Sequence, residues 1–369
     1  MRIFLSVIIE AVFLIILLFT YCEFLIYYIV QIQCGWPELD SLKADPNITS
    51  SLDEHLKVVI LADIHLLGSR HGHWFDKLRR EWQMYRAFQT ALTIHKPEVV
   101  FVLGDLLDEG SFCSDKEFDY YVDRFNSLFG VPDDVYLYMV VGNHDIGFHY
   151  AVQKHRKQRF DTAFNTSGVQ LLTLKGSHFV LVNSIALEGD GCSFCYSAEV
   201  QLAEISKKLL CTEKHCDLKA NRLEKYSRPI LMQHYPLFRE SDEQCDDFDS
   251  APMPQKRERF REKWECLSKE ATYQLLKQIK PRLVLSGHTH HGCTRNLALG
   301  NGIEITMPSF SWRNKNNPNY ALAVFTPNNY EIIKCPMPEE STVFNTYIVA
   351  IFIVLLRLMS RSMLRFKFR

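Results

Sequence analysis

Five short blocks of the chain place metal-ligating side chains directly after apolar runs: Asp63-Ile-His65, Gly104-Asp105-Leu-Leu-Asp108-Glu109, Gly142-Asn143-His144-Asp145, His234, and Gly287-His288-Thr289-His290. Carboxylate, imidazole and amide donors with no cysteine among them suit manganese, iron, magnesium or zinc, and do not choose between these cations. There are enough donors for two ions, and two divalent cations held close together are a device for in-line attack at phosphorus. One carboxylate must then bridge the pair. Asp105 is the natural bridge, because a tight Gly104-Asp105 turn lets a short side chain reach both ions. Asp63, His65 and His290 complete one ion, and Asn143, His234 and His288 complete the other.

Breaking a phosphodiester also requires a proton for the leaving alkoxide. His144 stands beside a ligand without being needed as one, which makes it the general acid. Asp108 is then the residue that orients and charges its ring. Asp145 and Glu109 are candidates for outer hydrogen bonds to the ligands. A lone Asp-x-His, or a lone histidine after a strand, is usually structural, so His234 alone carries little weight. Gly-Asn-His-Asp and Gly-His-Thr-His are rarer strings, and all five blocks in this order argue against coincidence. His71, His73, His149, His155 and His215 read as ordinary surface or loop residues, and His291 as either a substrate contact or a solvent-facing side chain. Trp312, Arg313 and Tyr320 are of a type that lines sugar pockets, but nothing in the sequence assigns them a role.

The elements that must position these residues show in the hydropathy pattern. Unbroken apolar runs at 57–61, 99–103, 135–141, 179–182, 230–232 and 283–285 predict strands buried on both faces. Trp74, Leu78, Trp82, Tyr85, Phe88 and Leu92 recur at helical spacing between the first two runs, as do Phe118, Tyr121, Phe125 and Leu128 before the third. Both stripes read as core packing. Strands alternating with helices predict a mostly parallel α/β sheet whose ligands gather beyond the carboxyl ends of the strands. After His290 the spacing changes to short strands at 295–299, 303–307, 320–325 and 330–334, expected to form a second sheet that closes a sandwich. Residues 239–261, charged and aperiodic, predict an excursion loop near the substrate mouth.

The 369 residues carry a formal net charge of -1 and no long basic stripe, which argues against a nucleic-acid partner. Both ends are lipid-like. Residues 1–31 read as a transmembrane helix, interrupted by Glu10 and Glu23, and the run is too long for the apolar core of a cleaved signal peptide. The plainer reading of Glu10 is a tolerated position; the alternative is that it pairs, protonates or faces another helix. A linker at 32–55 leads to a catalytic domain at 56–336. A second span follows at 343–359, interrupted by Arg357, and a basic tail at 360–369 carries Arg361, Arg365, Lys367 and Arg369. The positive-inside rule puts both termini in the cytoplasm and the domain on the lumenal or extracellular side. Sequons at Asn47 and Asn165 agree, as do the ten cysteines from Cys34 to Cys335. Disulfides are the expected use of those thiols, with a zinc knuckle from Cys192, Cys195, Cys211 and Cys216 as the alternative.

On these motifs, Asp63 to His290 resembles the calcineurin-like metallophosphoesterases. The resemblance implies a sandwich of mixed β-sheets flanked by helices around a binuclear centre, here with a transmembrane helix at each end. The flanking spans, the cysteine content and the run Ile60-Leu-Ala-Asp63-Ile-His-Leu-Leu-Gly68 are similar to membrane-bound members that remodel GPI anchors in the early secretory pathway. That similarity implies removal of the ethanolamine phosphate branch from the second mannose, two divalent ions that are Mn2+, and GPI-anchored proteins as substrate. It also implies cargo receptors as partners, and residence at ER exit sites, the ER-Golgi intermediate compartment and the cis-Golgi. Arg365 and Lys367 resemble a degenerate form of a family retrieval signal. The competing readings are a phosphodiesterase acting on a nucleotide or phospholipid and a non-catalytic adaptor for GPI cargo. A protein phosphatase is disfavoured by Glu109 following Asp108, where that class carries arginine.

Overall fold

The computed structural model describes residues 2–39, 55–216, 223–297 and 299–367. The Asn47 sequon, linker residues 40–54 and Arg369 lie outside them. The chain opens with α1 (Arg2–Thr20), passes through a π-helical turn (Tyr21–Leu25) and continues as α2 (Ile26–Gln31). The wide turn marks a change of surroundings. Before it Ile9, Phe13 and Ile16 are exposed; in and after it Cys22, Ile26, Tyr27 and Gln31 are buried against the catalytic domain.

That domain begins with β1 (Leu56–Leu61), α3 (Trp74–His95), β2 (Val99–Leu103), α4 (Asp115–Leu128) and β3 (Tyr136–Val140), whose strands pair in parallel. A capping box between Ser114 and Glu117 starts α4. There follow α5 (Asn143–Ile146), α6 (Lys154–Phe164), the hairpin β4 (Val169–Leu174) and β5 (Ser177–Val182), α7 (Cys195–Glu213), β6 (Ile230–Gln233), α8 (Lys269–Ile279) and β7 (Leu283–Ser286). The chain finishes with β8 (Cys293–Asn296), β9 (Ile303–Thr306), β10 (Asn319–Phe325), β11 (Tyr330–Pro336) and the long helix α9 (Glu340–Lys367).

Two mixed sheets result, in the orders β11-β10-β1-β2-β3 and β4-β5-β6-β7-β9-β8. The late strands do not build the second sheet by themselves, as expected from sequence, but divide between the two. β9 adds in parallel to β7, and β10 adds antiparallel to β1. The physical reason is that β1 and β7 would otherwise present an open ladder of backbone donors and acceptors. Alternation along β1 explains its unbroken hydropathy. Val59 and Leu61 face the helices, whereas Val58 and Ile60 face the layer between the sheets with Phe101, Phe179, Met232 and Leu285. Burial of each such side chain is worth about 1.5–3 kcal/mol.

The stripe on α3 is core only in its second half. Phe88 and Leu92 are buried, but Trp74 is 67% exposed and Leu78 59% exposed. α1–α2 and α9 each contain a stretch that is, by length and composition, long and apolar enough to cross a bilayer, Ile8–Gln31 and Glu340–Ser360. The two stretches meet side by side. Glu10 Oε1 lies 3.3 Å from Arg357 Nη1, so Glu10 is paired rather than merely tolerated, and Tyr347 donates to Glu23 Oε1 at 2.5 Å. A disulfide between Cys34 and Cys335 ties the end of α2 to β11. Cys245 pairs with Cys293, fastening the irregular 239–261 segment to β8. Cys192–Cys195 and Cys211–Cys216 are closed as separate disulfides, which removes the zinc-knuckle alternative for those sulfurs.

Candidate metal centre

The candidate ligands gather at the carboxyl ends of five strands. Asp63 and His65 follow β1, Asp105 and Asp108 follow β2, Asn143 and His144 open α5 after β3, His234 follows β6, and His288 and His290 follow β7. The backbone departs from ordinary geometry where they sit. Asp63, His65, Asp105, His288 and His290 adopt positive φ angles of 52°, 49°, 49°, 75° and 62°. Such conformations cost on the order of 1–3 kcal/mol each and persist where surrounding structure enforces them, typically at functional sites. Glycine makes room at the closest approaches. A Cβ on Gly104 would stand 2.5 Å from His234 Nδ1, and one on Gly142 would stand 2.2 Å from Asp105 Oδ1.

Three imidazoles are fastened by one nitrogen and aimed by the other. His65 Nδ1 bonds Asp108 Oδ1 at 3.1 Å, His234 Nδ1 bonds the Leu103 carbonyl at 2.8 Å, and His288 Nε2 bonds the Trp264 carbonyl at 2.6 Å. Each of these fastened nitrogens donates its N–H, which leaves a lone pair on the opposite ring nitrogen. Those free nitrogens converge. His65 Nε2 lies 3.1 Å from His290 Nε2, and His234 Nε2 lies 3.2 Å from His288 Nδ1 and 3.0 Å from Asn143 Oδ1. Lone pairs facing one another at these distances repel unless a cation or proton lies between them. The donor set therefore fits two divalent cations, one among Asp63, His65 and His290 and one among Asp105, His234 and His288.

Asp105 sits between the two groups. Its Oδ2 is 3.4 Å from His65 Nε2 and 3.2 Å from His234 Nε2, while its Oδ1 accepts the His144 backbone N–H at 2.8 Å. The electrostatics follow from burial. Burial outweighs the neighbouring carboxylates and lowers the pKa of His65, of His288 to about 3, and of His290, leaving neutral rings suited to ligation. For His234 burial acts downward too, but Asp105 and Asp63 overcome it and raise the pKa to about 9. Burial, with the Asp105 charge, raises Asp63 to about 8, whereas Asp105 is held well below the usual carboxylate range because His234, His144 and His65 outweigh its own burial.

His144 lies at the mouth, its side chain 40% exposed, and its pKa is raised because Asp105 and Asp108 overcome partial burial. Its Nδ1 bonds the Asp108 backbone carbonyl at 3.0 Å, whereas the Asp108 carboxylate is 3.8 Å away. The Asp108 carboxylate thus bonds the His65 ring directly, while the Asp108 carbonyl holds His144 and the carboxylate charge acts on that ring from 3.8 Å. Asp145 and Glu109 bond the surrounding chain rather than the candidate ligands. Asp145 accepts from Leu107 N and Gly142 N, tying the loops after β2 and β3 together. Glu109 accepts from Arg70 N, His71 N and Tyr121 Oη.

Several residues near the centre carried no signal in the sequence. His71 Nδ1 lies 3.4 Å and Arg313 Nη2 3.7 Å from the Asp108 carboxylate, so both reach the rim. His149 is buried against Tyr235, not on the surface, and Tyr235 packs edge-on against His288 at 4.4 Å. Tyr320 lies in the core with its hydroxyl 2.7 Å from His95 Nε2, away from any sugar-binding position.

Residues 56–292 match the calcineurin-like phosphoesterase family. A protein named Metallophosphoesterase 1 from Ailuropoda melanoleuca is 48% identical over 335 residues, covering 89% of this chain and 83% of its own length. A Metallophosphoesterase 1 homolog from Drosophila melanogaster is 46% identical over 332 residues, covering 89% and 86%. Among solved structures, GAP50, the anchor in the inner membrane complex of Plasmodium, matches with a TM-score of 0.47 at 9% identity, over 80% of this chain and 94% of that one.

Proposed function

Because the chain belongs to the calcineurin-like phosphoesterase family, and is thereby a metal-dependent phosphoesterase, we propose that it is the phosphodiesterase that removes the ethanolamine phosphate branch from the second mannose of GPI anchors. The observation that carries the chemistry is the inward convergence of His65, His234, His288 and His290 on Asp105. The relatives named Metallophosphoesterase 1 and the two apolar helices support the choice of a membrane-linked substrate.

In this reading Asp63, His65 and His290 would hold one ion, Asn143, His234 and His288 would hold the other, and Asp105 would serve both. When bound, two divalent cations, here Mn2+, supply Lewis acidity at the phosphoryl oxygens and activate the attacking water. The chain's own residues do the rest. His144, its pKa raised by the carboxylates around it, donates its Nε2 proton to the leaving sugar oxygen while the Asp108 carbonyl fixes its ring. Arg313 stands at the rim, where its guanidinium meets an anionic phosphate.

The domain faces the lumen from ER exit sites to the cis-Golgi, with both termini cytoplasmic and Asn165 glycosylated. Trimmed GPI-anchored proteins are then passed to cargo receptors. The test is mass spectrometry of GPI glycans on a reporter protein from cells lacking this chain, re-expressing the native sequence or Asp63→Ala. Ethanolamine phosphate on the second mannose should accumulate and be cleared by the native chain alone. Glycans identical in all three lines refute the substrate.

A further inference from the structure

An apolar furrow runs along the crossing of α1, α3 and α9. Its upper part is a cavity of about 540 Å³ walled by Phe19, Leu78, Trp82, Phe344 and Tyr347, with Trp312 at its head. Its lower part, about 450 Å³, lies between Leu14, Leu18, Val354 and Arg357, and the two parts share Ile351. From Val343 to Arg357 the wall of α9 extends about 21 Å at about 1.5 Å per residue, more than one leaflet of a hydrocarbon core about 30 Å thick.

The charged groups on the walls are already paired. Arg79 pairs with Glu340 at 2.5 Å and lies over the rings of Phe344 and Trp312 at 4.8 and 5.7 Å; Glu23 accepts from Tyr347; Glu10 and Arg357 close the lower end. With no charge left to meet an ionic ligand, the furrow suits hydrocarbon. Phe75, Leu78 and Phe344 leave large apolar area open beside it, the kind of contiguous patch that marks a binding surface.

The head of the furrow is joined to the metal centre by one short segment. Trp312 is anchored by its indole N–H on the Pro338 carbonyl, and the next residue, Arg313, reaches to 3.7 Å from Asp108. In the same segment Ser309 Oγ donates to the Asp63 carbonyl at 2.7 Å. We infer that the furrow seats a hydrocarbon chain of the substrate's own lipid, so that this enzyme takes a lipid-linked phosphodiester with its tail between α1, α3 and α9 while its head reaches the metal centre. The inference rests on the phosphodiesterase reading above and adds a binding site to it. A tail held in the furrow would confine the head group near the centre and raise its effective concentration there.

The experiment uses the full chain in nanodiscs with a GPI glycolipid carrying a diazirine on its acyl chain, and separately with diazirine-labelled phosphatidylcholine. Irradiation should place the GPI label on peptides containing Leu78, Trp82 and Phe344, in preference to the lipid-facing Phe13 and Phe352. Leu78→Trp, at an exposed position that tolerates bulk, should lose that labelling and raise KM for the GPI glycolipid, while Leu78→Met keeps both. Neither variant should alter turnover of the soluble diester bis(p-nitrophenyl) phosphate, which also reports that the domain has folded. Label spread evenly along the outer faces of the spans, or phosphatidylcholine labelling the furrow as well as the GPI probe does, overturns the inference. Failure of the phosphodiesterase reading looks different: furrow labelling persists, but no ethanolamine phosphate is released.

Discussion

His65 Nδ1 lies 3.1 Å from Asp108 Oδ1, inside a pocket where both side chains are almost completely buried. This contact fixes which nitrogen of the His65 ring carries the lone pair, and we propose that Asp108 acts through it on ion binding. Loss of such an outer partner typically costs about 10–100-fold in metal affinity or activity. Asp108→Asn should therefore weaken Mn2+ binding by about that factor, and saturating Mn2+ should restore most turnover. A variant that binds Mn2+ normally but stays slow at saturation would return Asp108 to the role of partner for the acid.

His144 predicts the opposite separation. It stands outside the Asp63–His65–His290 and Asp105–His234–His288 groups, although its ring also comes within ligating reach of His65 and Asp105, and its Nδ1 is occupied by the Asp108 carbonyl. His144→Ala should keep both ions by metal analysis while turnover of a diester with a poor leaving group drops about 10²–10⁴-fold, the usual worth of a positioned acid. Diesters with a good leaving group, which need no proton, should suffer far less. Loss of an ion in this variant would show that His144 is a ligand.

The raised pKa values of His234 and Asp63 give the metal-free and loaded proteins opposite pH responses. His234, at about 9 against an ordinary 6.5, stabilises the metal-free fold fully below pH 6.5, and that contribution is lost as pH climbs through 9. Asp63, raised to about 8, binds a proton in the folded state that the unfolded chain has released, so its contribution also declines between pH 4 and 8. Cations require both groups deprotonated, so Mn2+ affinity should rise with pH across the same window. Thermal melts from pH 6 to 9 should show Tm falling without Mn2+ and the Mn2+-induced increment growing. Calorimetry in two buffers of different ionisation enthalpy should register proton release at pH 7. A pH-independent Mn2+ increment would refute the assignment.

The centre was more legible in the sequence than the frame around it. Asp63, His65, Asp105, His288 and His290 announced themselves because a short side chain at the end of an apolar run must sit beyond a strand's carboxyl end. Their neighbours His71 and Arg313 reach the rim through loops whose path is decided by tertiary packing, and no local spacing encodes that. Asp108 is adjacent in space to both His65 and His144, and only side-chain direction, which spacing does not encode, shows that its carboxylate bonds His65 while its carbonyl bonds His144. The late strands β8 to β11 look alike as hydropathy patterns, and which sheet each joins depends on the open edges of β1 and β7. Strand β4 was missed because its residues, apart from buried Val169, are partly covered or, at Thr173, exposed, and Gln170 and Thr173 break the apolar run.

Asn165 reports which side of the membrane the domain occupies. It is exposed at the C-terminal end of α6, in the left-handed conformation, so an oligosaccharide can be carried there without disturbing the core. If the domain is lumenal, Asn165→Gln should lose one endoglycosidase-sensitive mass increment and keep its activity. An unchanged mobility, together with no glycan at Asn165 in the native chain, would count against the proposed orientation.

Glu10 and Arg357 are the polar interruptions of the two spans that face each other, and their 3.3 Å contact joins α1 to α9. A lone arginine at the centre of a span costs about 2.5–3.5 kcal/mol on insertion scales and less toward a span's end, where Arg357 stands three residues before Ser360, so the pair should matter most when only one member is removed. Glu10→Leu is expected to destabilise the paired spans, by less than that mid-span figure, and to open the lower end of the furrow between them. The double variant Glu10→Leu with Arg357→Leu should recover most of the loss, because two apolar side chains leave no buried charge behind. Thermal unfolding of the full chain in nanodiscs, followed by the spacing of labels on α1 and α9, measures both effects. If the single and double variants lose stability equally, the two residues do not act as a pair, and the spans are held together by the Cys34–Cys335 disulfide and apolar packing alone.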